Sequence, residues 1–261
     1  MSITLAIFHL SKTIRSLIGV GRHSQWMAIL ITPALIFMLL AAGSINVFAQ
    51  RRTTHNFPAR GDVRLEIRNR MGSIRIEAWD RASVQIIVDR ENPPAQIMPE
   101  MNGNTIVINV RASQPPNAGD VNFQIRVPSN ALIDVETVRG DITVRNVRSG
   151  LVRAEVTTEG DVQLTGIRSG TVMARNMMGL IVFEGELLSG GNYRFMSTSG
   201  QMHFRIPSDS GFNLTALTRN IDLGGFARHF STQGRRVQGS VGSGAASVYI
   251  TNTSGSISFM Q

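Results

Sequence analysis

The sequence predicts an all-β fold: a single-domain β-solenoid, β-helix-like, of short stacked strands preceded by an N-terminal hydrophobic leader helix. Three observations carry that expectation. The phrase Gly140-Asp-Ile-Thr-Val returns as Gly160-Asp-Val-Gln-Leu, Gly179-Leu-Ile-Val-Phe and Gly200-Gln-Met-His-Phe, at steps of 20, 19 and 21 residues. A second phrase lies between the glycines, as Val147-Arg-Ser-Gly-Leu-Val-Arg-Ala and Ile167-Arg-Ser-Gly-Thr-Val-Met-Ala. Apolar and polar residues alternate inside both phrases, which is the period of a strand with one buried face. A repeat near 20 residues marks an architecture whose units bury their apolar faces only against their neighbours. An antiparallel meander or sandwich also shows short strands and frequent turns, but regular unit length and a recurring phrase favour stacked units.

Taken in order, residues 1–49 come first. Lys12, Arg15 and Arg22 precede an uncharged stretch from Trp26 to Ala49 that ends Val47-Phe-Ala49. A basic start, an apolar core and small residues before a junction describe a secretory signal cleaved after Ala49. The same run is long enough to span a bilayer, so a retained single-span anchor fits as well. Either reading puts the rest of the chain outside the cytoplasm, at the cell envelope or secreted. Residues 50–57 read as a polar linker, and 58–261 as the β-solenoid domain.

In the domain, Val63, Leu65 and Ile67 alternate with charges, and Ile74 and Ile76 follow Gly72. Val84, Ile86 and Val88, then 105–110 and 121–127, make further strands, interrupted by prolines at 93, 94, 115, 116 and 128. This less regular half suits the cap end of a repeat stack. In the regular half, Ile142 and Val144, Val162 and Leu164, and Val152 and Ala154 point inward, later joined by Phe183, Phe195 and Phe204. The corners fall at Gly72, Gly140, Gly160, Gly179, Gly200, Asn220 and Gly255. Glycine reaches positive φ without steric cost, and Asn is among the few other residues that go there. Residues 224–244 read as a loose Gly/Ser/Arg loop, and 247–250 with 255–259 as strands that close the stack.

Composition narrows function. There is no cysteine, hence no disulfide, thiolate nucleophile or Cys-metal site. The formal charge is +8; residues 1–49 hold three of the 26 bases and no acid, leaving 23 bases against 18 acids. Lys12 is the sole lysine, so every base beyond residue 49 is arginine, which forks onto carboxylate or phosphate. The outward positions Arg145, Arg153, Arg194 and Arg205 form the candidate face for an anionic glycan, lipid headgroup or envelope protein. Nucleic acid is not an expected partner outside the cell, and the aromatic interleaving of the basic residues is thin.

No catalytic, cofactor or metal residues emerge. Arg60-Gly-Asp62 and Arg139-Gly-Asp141 spell a short integrin-type tripeptide, but Gly-Asp is the corner phrase of the repeat. Asp141 and Asp161 stack one unit apart, yet the column breaks at Leu180, short of the six or more oxygens that calcium takes. His55, His203 and His229 lack metal-ligand spacing. Gly239-Ser-Val-Gly-Ser-Gly244 lacks the Lys-Ser/Thr of a phosphate loop. Mixed charge on the outer columns, without paired acids, argues against a glycosidase.

The chain resembles a family of exported bacterial domains labelled putative adhesins, of unknown function. The likeness runs from about Phe57 to Met260. It rests on Ile67-Arg-Asn-Arg-Met-Gly-Ser-Ile-Arg-Ile-Glu-Ala-Trp-Asp, Ile125-Arg-Val-Pro, the Gly-Asp-Ile-Thr-Val units, 204–218 and Thr253-Ser-Gly-Ser-Ile-Ser-Phe. The resemblance implies a β-solenoid at the envelope acting as a non-catalytic, adhesin-like surface module. An envelope-stress or signalling accessory is the alternative, and a carbohydrate-active enzyme a more distant one.

Overall fold

Alternation of apolar and polar residues is realised strand by strand, and it sets which side of the sheet is interior. The computed structural model describes residues 51–59, 61–90, 97–110 and 119–260. The leader expected over 1–49 lies outside the described residues. The chain forms β1 (Arg51–Pro58), β2 (Arg64–Arg68), β3 (Ile74–Trp79), β4 (Ser83–Arg90), β5 (Glu100–Asn102), β6 (Thr105–Asn109) and β7 (Val121–Pro128). It continues through β8 (Leu132–Arg139), β9 (Ile142–Arg145), β10 (Leu151–Glu159), β11 (Val162–Met178), β12 (Ile181–Ser199) and β13 (Met202–Arg205). After β14 (Phe212–Leu217) and β15 (Ile221–Asp222), a 3-10 turn over Gly224–His229 leads to β16 (Phe230–Gln233), β17 (Arg236–Val241), β18 (Ala246–Ser254) and β19 (Ile257–Met260). All nineteen strands belong to one all-β sheet that closes almost into a barrel.

The sheet consists of two ladders joined at corners. The long arm runs β5, β6, β2, β8, β10, the second half of β11, the second half of β12, β18, β14, β17, β16. The short arm runs β1, β4, β7, β3, β9, the first part of β11, the first part of β12, β13, β19, β15. Pairings are antiparallel at both ends of the long arm and at the β1–β4–β7 end of the short arm, and parallel elsewhere, through to the β13–β19–β15 end of the short arm.

Register follows the repeat. Ile142, Val162, Ile181, Met202 and Ile257 align along the short arm, as do Val144, Leu164, Phe183, Phe204 and Phe259. All are buried, and each such side chain contributes roughly 1.5–3 kcal/mol by leaving water. The interior turns aromatic toward the C-terminus, where Phe183, Phe195, Phe204 and Phe259 meet at centroid distances of 5.2, 4.8 and 4.9 Å. The first is tilted, the second edge-on and the third stacked, and such contacts add to burial.

Most corners impose glycine twice over, whereas Gly200 lacks the expected positive φ and is held to glycine by close backbone contact alone. Gly140, Gly160 and Gly179 have φ of 117°, 150° and 122°. In addition, a Cβ on Gly160 would lie 2.3 Å from the Gly140 carbonyl oxygen, and one on Gly200 would lie 1.9 Å from that of Gly179. Backbone therefore stacks on backbone along the column Gly72, Gly140, Gly160, Gly179, Gly200, Gly255. Three residues before these corners, Asn69, Thr137, Asn176, Ser197 and Asn252 are buried. Asn176 and Asn252 donate their amides to the carbonyls of Gly160 and Gly200, at 3.2 and 3.0 Å.

Four expectations change. Residues 51–57 of the linker expected over 50–57 form β1 with Pro58, because all eight residues stand in antiparallel register with β4 from Ser83 to Arg90. Asn220 does not enter the left-handed region; Asn146 (φ 58°) does. The corner at Asn220 leads into a two-residue strand that pairs with β19 alone, so it is not held to the glycine geometry. Residues 224–241 are not a loose loop: Phe226, Val237 and Val241 are buried, and β17 and β16 cover the edge of β14. Finally, β18 and β19 do not close the stack but slot between β12/β13 and β14/β15. Glycine and serine in 224–244 mask the apolar spacing that makes the true end layer.

Candidate ligand-binding surface

Outward side chains on neighbouring parallel strands stand about 4.8 Å apart in the pairing direction, so each column brings successive layers into contact. On the long arm the columns hold opposite charges. Asp134 on β8 is flanked by β2 and β10. Its carboxylate lies 3.1 Å from Arg64, 3.0 Å from Arg68 and 3.7 Å from Arg153. Arg64 also reaches Glu66 at 2.6 Å, and Arg68 reaches Glu136 at 3.6 Å. Glu155 then takes Arg153 at 3.1 Å and Arg175 at 3.0 Å. Asp134 is buried beneath these guanidinium groups.

The short arm is different. Its outward face over β1, β4, β7, β3 and β9 forms a groove of about 520 Å³ that includes Arg52, Arg75, Arg126, Arg145, Glu77 and Asp141. The register sets Glu77 between Arg126 and Arg145. Among the described residues, none of the four arginines lies within ion-pair distance of a carboxylate. Arg52 donates to the Gln124 side chain at 3.4 Å, and the Arg126 guanidinium sits 5.8 Å from the Trp79 ring centroid. Asp141 is committed elsewhere, since its Oδ1 accepts the Asp161 backbone N–H at 2.9 Å. Asp161 in turn accepts the Leu180 N–H at 2.8 Å. The aspartate column thus ties layers together through backbone amides, and that accounts for Asp141 in the Arg-Gly-Asp at 139–141; Arg60 of the other lies outside the described residues.

The four arginines singled out from sequence do not share a face. Arg145 and Arg205 stand on the short arm, on β9 and β13, whereas Arg153 and Arg194 stand on the long arm, on β10 and β12. Arg153 is paired as above, Arg205 meets Glu184 at 3.2 Å, and Arg194 lies 5.8 Å from the Tyr249 ring, within cation–π range. Arg145 alone joins the groove. Arg52, Arg75 and Arg126 were missed because β7 pairs with β3, and β1 joins β7 through β4, out of chain order. Arg75 was nevertheless readable, since it stands three residues after Gly72 as Thr143 does after Gly140.

Among the described residues, no three His, Asp or Glu side chains converge as metal ligands, and none of the helices is long and apolar enough to cross a membrane. His203 is hydrogen-bonded through Nδ1 to Ser258. Tyr193 is fully buried; its hydroxyl donates to the Ser169 carbonyl at 2.9 Å and accepts the Leu188 N–H at 2.6 Å. Burial pushes its pKa up, with the Leu188 N–H opposing.

No family model matches the sequence, and no curated protein does. Solved structures do. The chain is similar to a putative cell adhesion protein from Clostridium sporogenes, at 11% identity and TM-score 0.47, covering 80% of this chain and 99% of that one. It is also similar to a putative adhesin from Bacteroides fragilis (11% identity, TM-score 0.33, 82% and 99% covered). A third likeness is to a putative lipid binding protein from Parabacteroides distasonis (8% identity, TM-score 0.25, 81% and 97% covered).

Proposed function

We propose that this chain is a non-catalytic, adhesin-like binding module on a β-solenoid frame, held outside the cytoplasm at the cell envelope or secreted. The observation that carries the reading is the in-register parallel ladder of the two arms. It fixes outward side chains at layer spacing on a rigid backbone, which suits recognition of an extended partner more than chemistry on a small one. Support for export comes from the charge-free run ending at Ala49, whether it is cleaved or retained as an anchor. Anionic glycan, lipid headgroup and envelope protein are the candidate partners.

The test is binding of the purified full-length chain to an array of glycans and lipids and to intact bacterial cells, with reducing-end release measured in parallel. Saturable binding to at least one surface without release of reducing ends is the expected result. Product formation abolished by a single carboxylate substitution would overturn the non-catalytic reading.

A further inference from the structure

We propose that the short-arm groove is the binding site, and that its ligand is an extended, carboxylate- or phosphate-bearing glycan chain lying across β7, β3 and β9. This deepens the adhesin-like reading and rests on it. The argument begins with charge left over. On the long arm, Arg64, Arg68, Arg153 and Arg175 are matched by Glu66, Asp134, Glu136 and Glu155 within the fold. In the groove, Arg52, Arg75, Arg126 and Arg145 face Glu77 and Asp141, and one oxygen of Asp141 is already taken by the Asp161 N–H. The groove therefore holds two more positive charges than negative ones. Arg52 leans on Gln124 and Arg126 on the Trp79 ring. Among the described residues no guanidinium of the four is within ion-pair distance of a carboxylate, which leaves them able to fork onto outside oxyanions.

Geometry selects the kind of polyanion. Arg126 and Arg145 stand two strands apart, about 9–10 Å at the usual spacing, with Glu77 in register between them and Arg75 two residues along the same middle strand, level with Gln124 and Thr143. Such spacing matches negative groups repeated along a chain better than a single compact anion. The cationic side chains line a hollow of about 520 Å³, which a single polymer strand can enter and a bilayer plane cannot. A membrane-docking face would also need apolar side chains to enter the bilayer. The exposed large apolar residues among those described are Met98, Met177, Met178 and Met260, and none lines the groove. Exposed charges attract through screened fields, so the binding is to be salt-sensitive.

The experiment measures binding of the full-length chain to polygalacturonate, to inorganic polyphosphate, to neutral dextran and to phosphatidylcholine/phosphatidylglycerol vesicles. Arg75→Gln/Arg145→Gln is compared with Arg153→Gln/Arg194→Gln, and the fold of each is checked by circular dichroism and melting. The expected result is salt-sensitive binding to polygalacturonate that weakens about tenfold or more, roughly 1.4 kcal/mol, in the groove variant but not in the long-arm variant. Arg75→Lys/Arg145→Lys, which keeps charge but loses the fork, should restore binding in part. Equal binding by both Gln variants overturns the groove while leaving the adhesin-like reading standing. Preference for polyphosphate, vesicles or dextran over polygalacturonate overturns the glycan assignment. No binding to any of the four probes, to the array or to cells overturns both.

Discussion

Two regions of this molecule, the β2–β11 face of the long arm and the groove of the short arm, display arginine in opposite ways. On the long arm every layer from β2 to β11 sets a guanidinium beside a carboxylate, and Asp134 disappears under three of them. On the short arm, one corner away, Arg75, Arg126 and Arg145 line a hollow without an acid in ion-pair reach among the described residues. Both surfaces are made by the same strand ladder and the same residue type. The difference teaches that arginine content does not locate a binding face; only the column in which each arginine stands does. A paired column gives stability, and a mismatched one leaves capacity for an outside partner.

Substitutions can break or sharpen this contrast. The largest effect is expected at the frame shared by both arms. Gly160→Ala forces a Cβ against the Gly140 carbonyl and a side chain onto positive φ, and should cost about 3 kcal/mol or more in denaturant unfolding. Retention of wild-type stability would contradict the stacked-corner geometry. Next, Asp134→Ala strips the buried acid from three arginines; those arginines keep some solvent access, so the expected loss is about 2–3 kcal/mol.

Tyr193→Phe comes third. It leaves the Leu188 N–H and the Ser169 carbonyl without their partner inside the core, at about 1–2 kcal/mol. Tyr193 also gives a pH signature with a definite sign. Its folded pKa is raised above the ordinary value near 10, so the neutral form is favoured in the fold. Its contribution is complete below about pH 10 and lost as pH rises through the folded value. Melting temperature against pH should therefore fall less steeply above about pH 10 in Tyr193→Phe than in the parent. The smallest effect on stability belongs to the groove: Arg75→Gln/Arg145→Gln should stay within about 0.5 kcal/mol of the parent, although it weakens binding. A large loss there would mean that these arginines serve the fold after all.

Much of this was legible in the residues. The columns through Ile142 and Val144 followed from strand alternation, and the glycine corners from the repeated phrase, although the carbonyl-on-glycine contact supplies a reason that φ alone does not. The buried polar residue three positions before every glycine corner but Gly160 was also in plain view, as Asn69, Thr137, Asn176, Ser197 and Asn252. It went unread because a polar side chain in a strand looks outward until its neighbours are known. The layer order was not legible. Placing β6/β7 outside β2/β3, and β18/β19 inside β14/β15, depends on pairings between distant segments that no local period records. The groove depends on that order, since β1 and β7 carry Arg52 and Arg126 to the side of Arg75 and Arg145. Residues 224–244 were misread for a related reason: Phe226, Val237 and Val241 are spaced among glycines, and only the edge of β14 gives them something to cover.

The contrast between the arms is tested most directly by arginine-selective dicarbonyl labelling of the full-length chain, read peptide by peptide by mass spectrometry with and without polygalacturonate. Arg75 and Arg145 should label several-fold faster than Arg68 and Arg153 in the free protein, and the polymer should slow the first pair alone. Equal rates for the two pairs, or equal protection of both, would contradict the account.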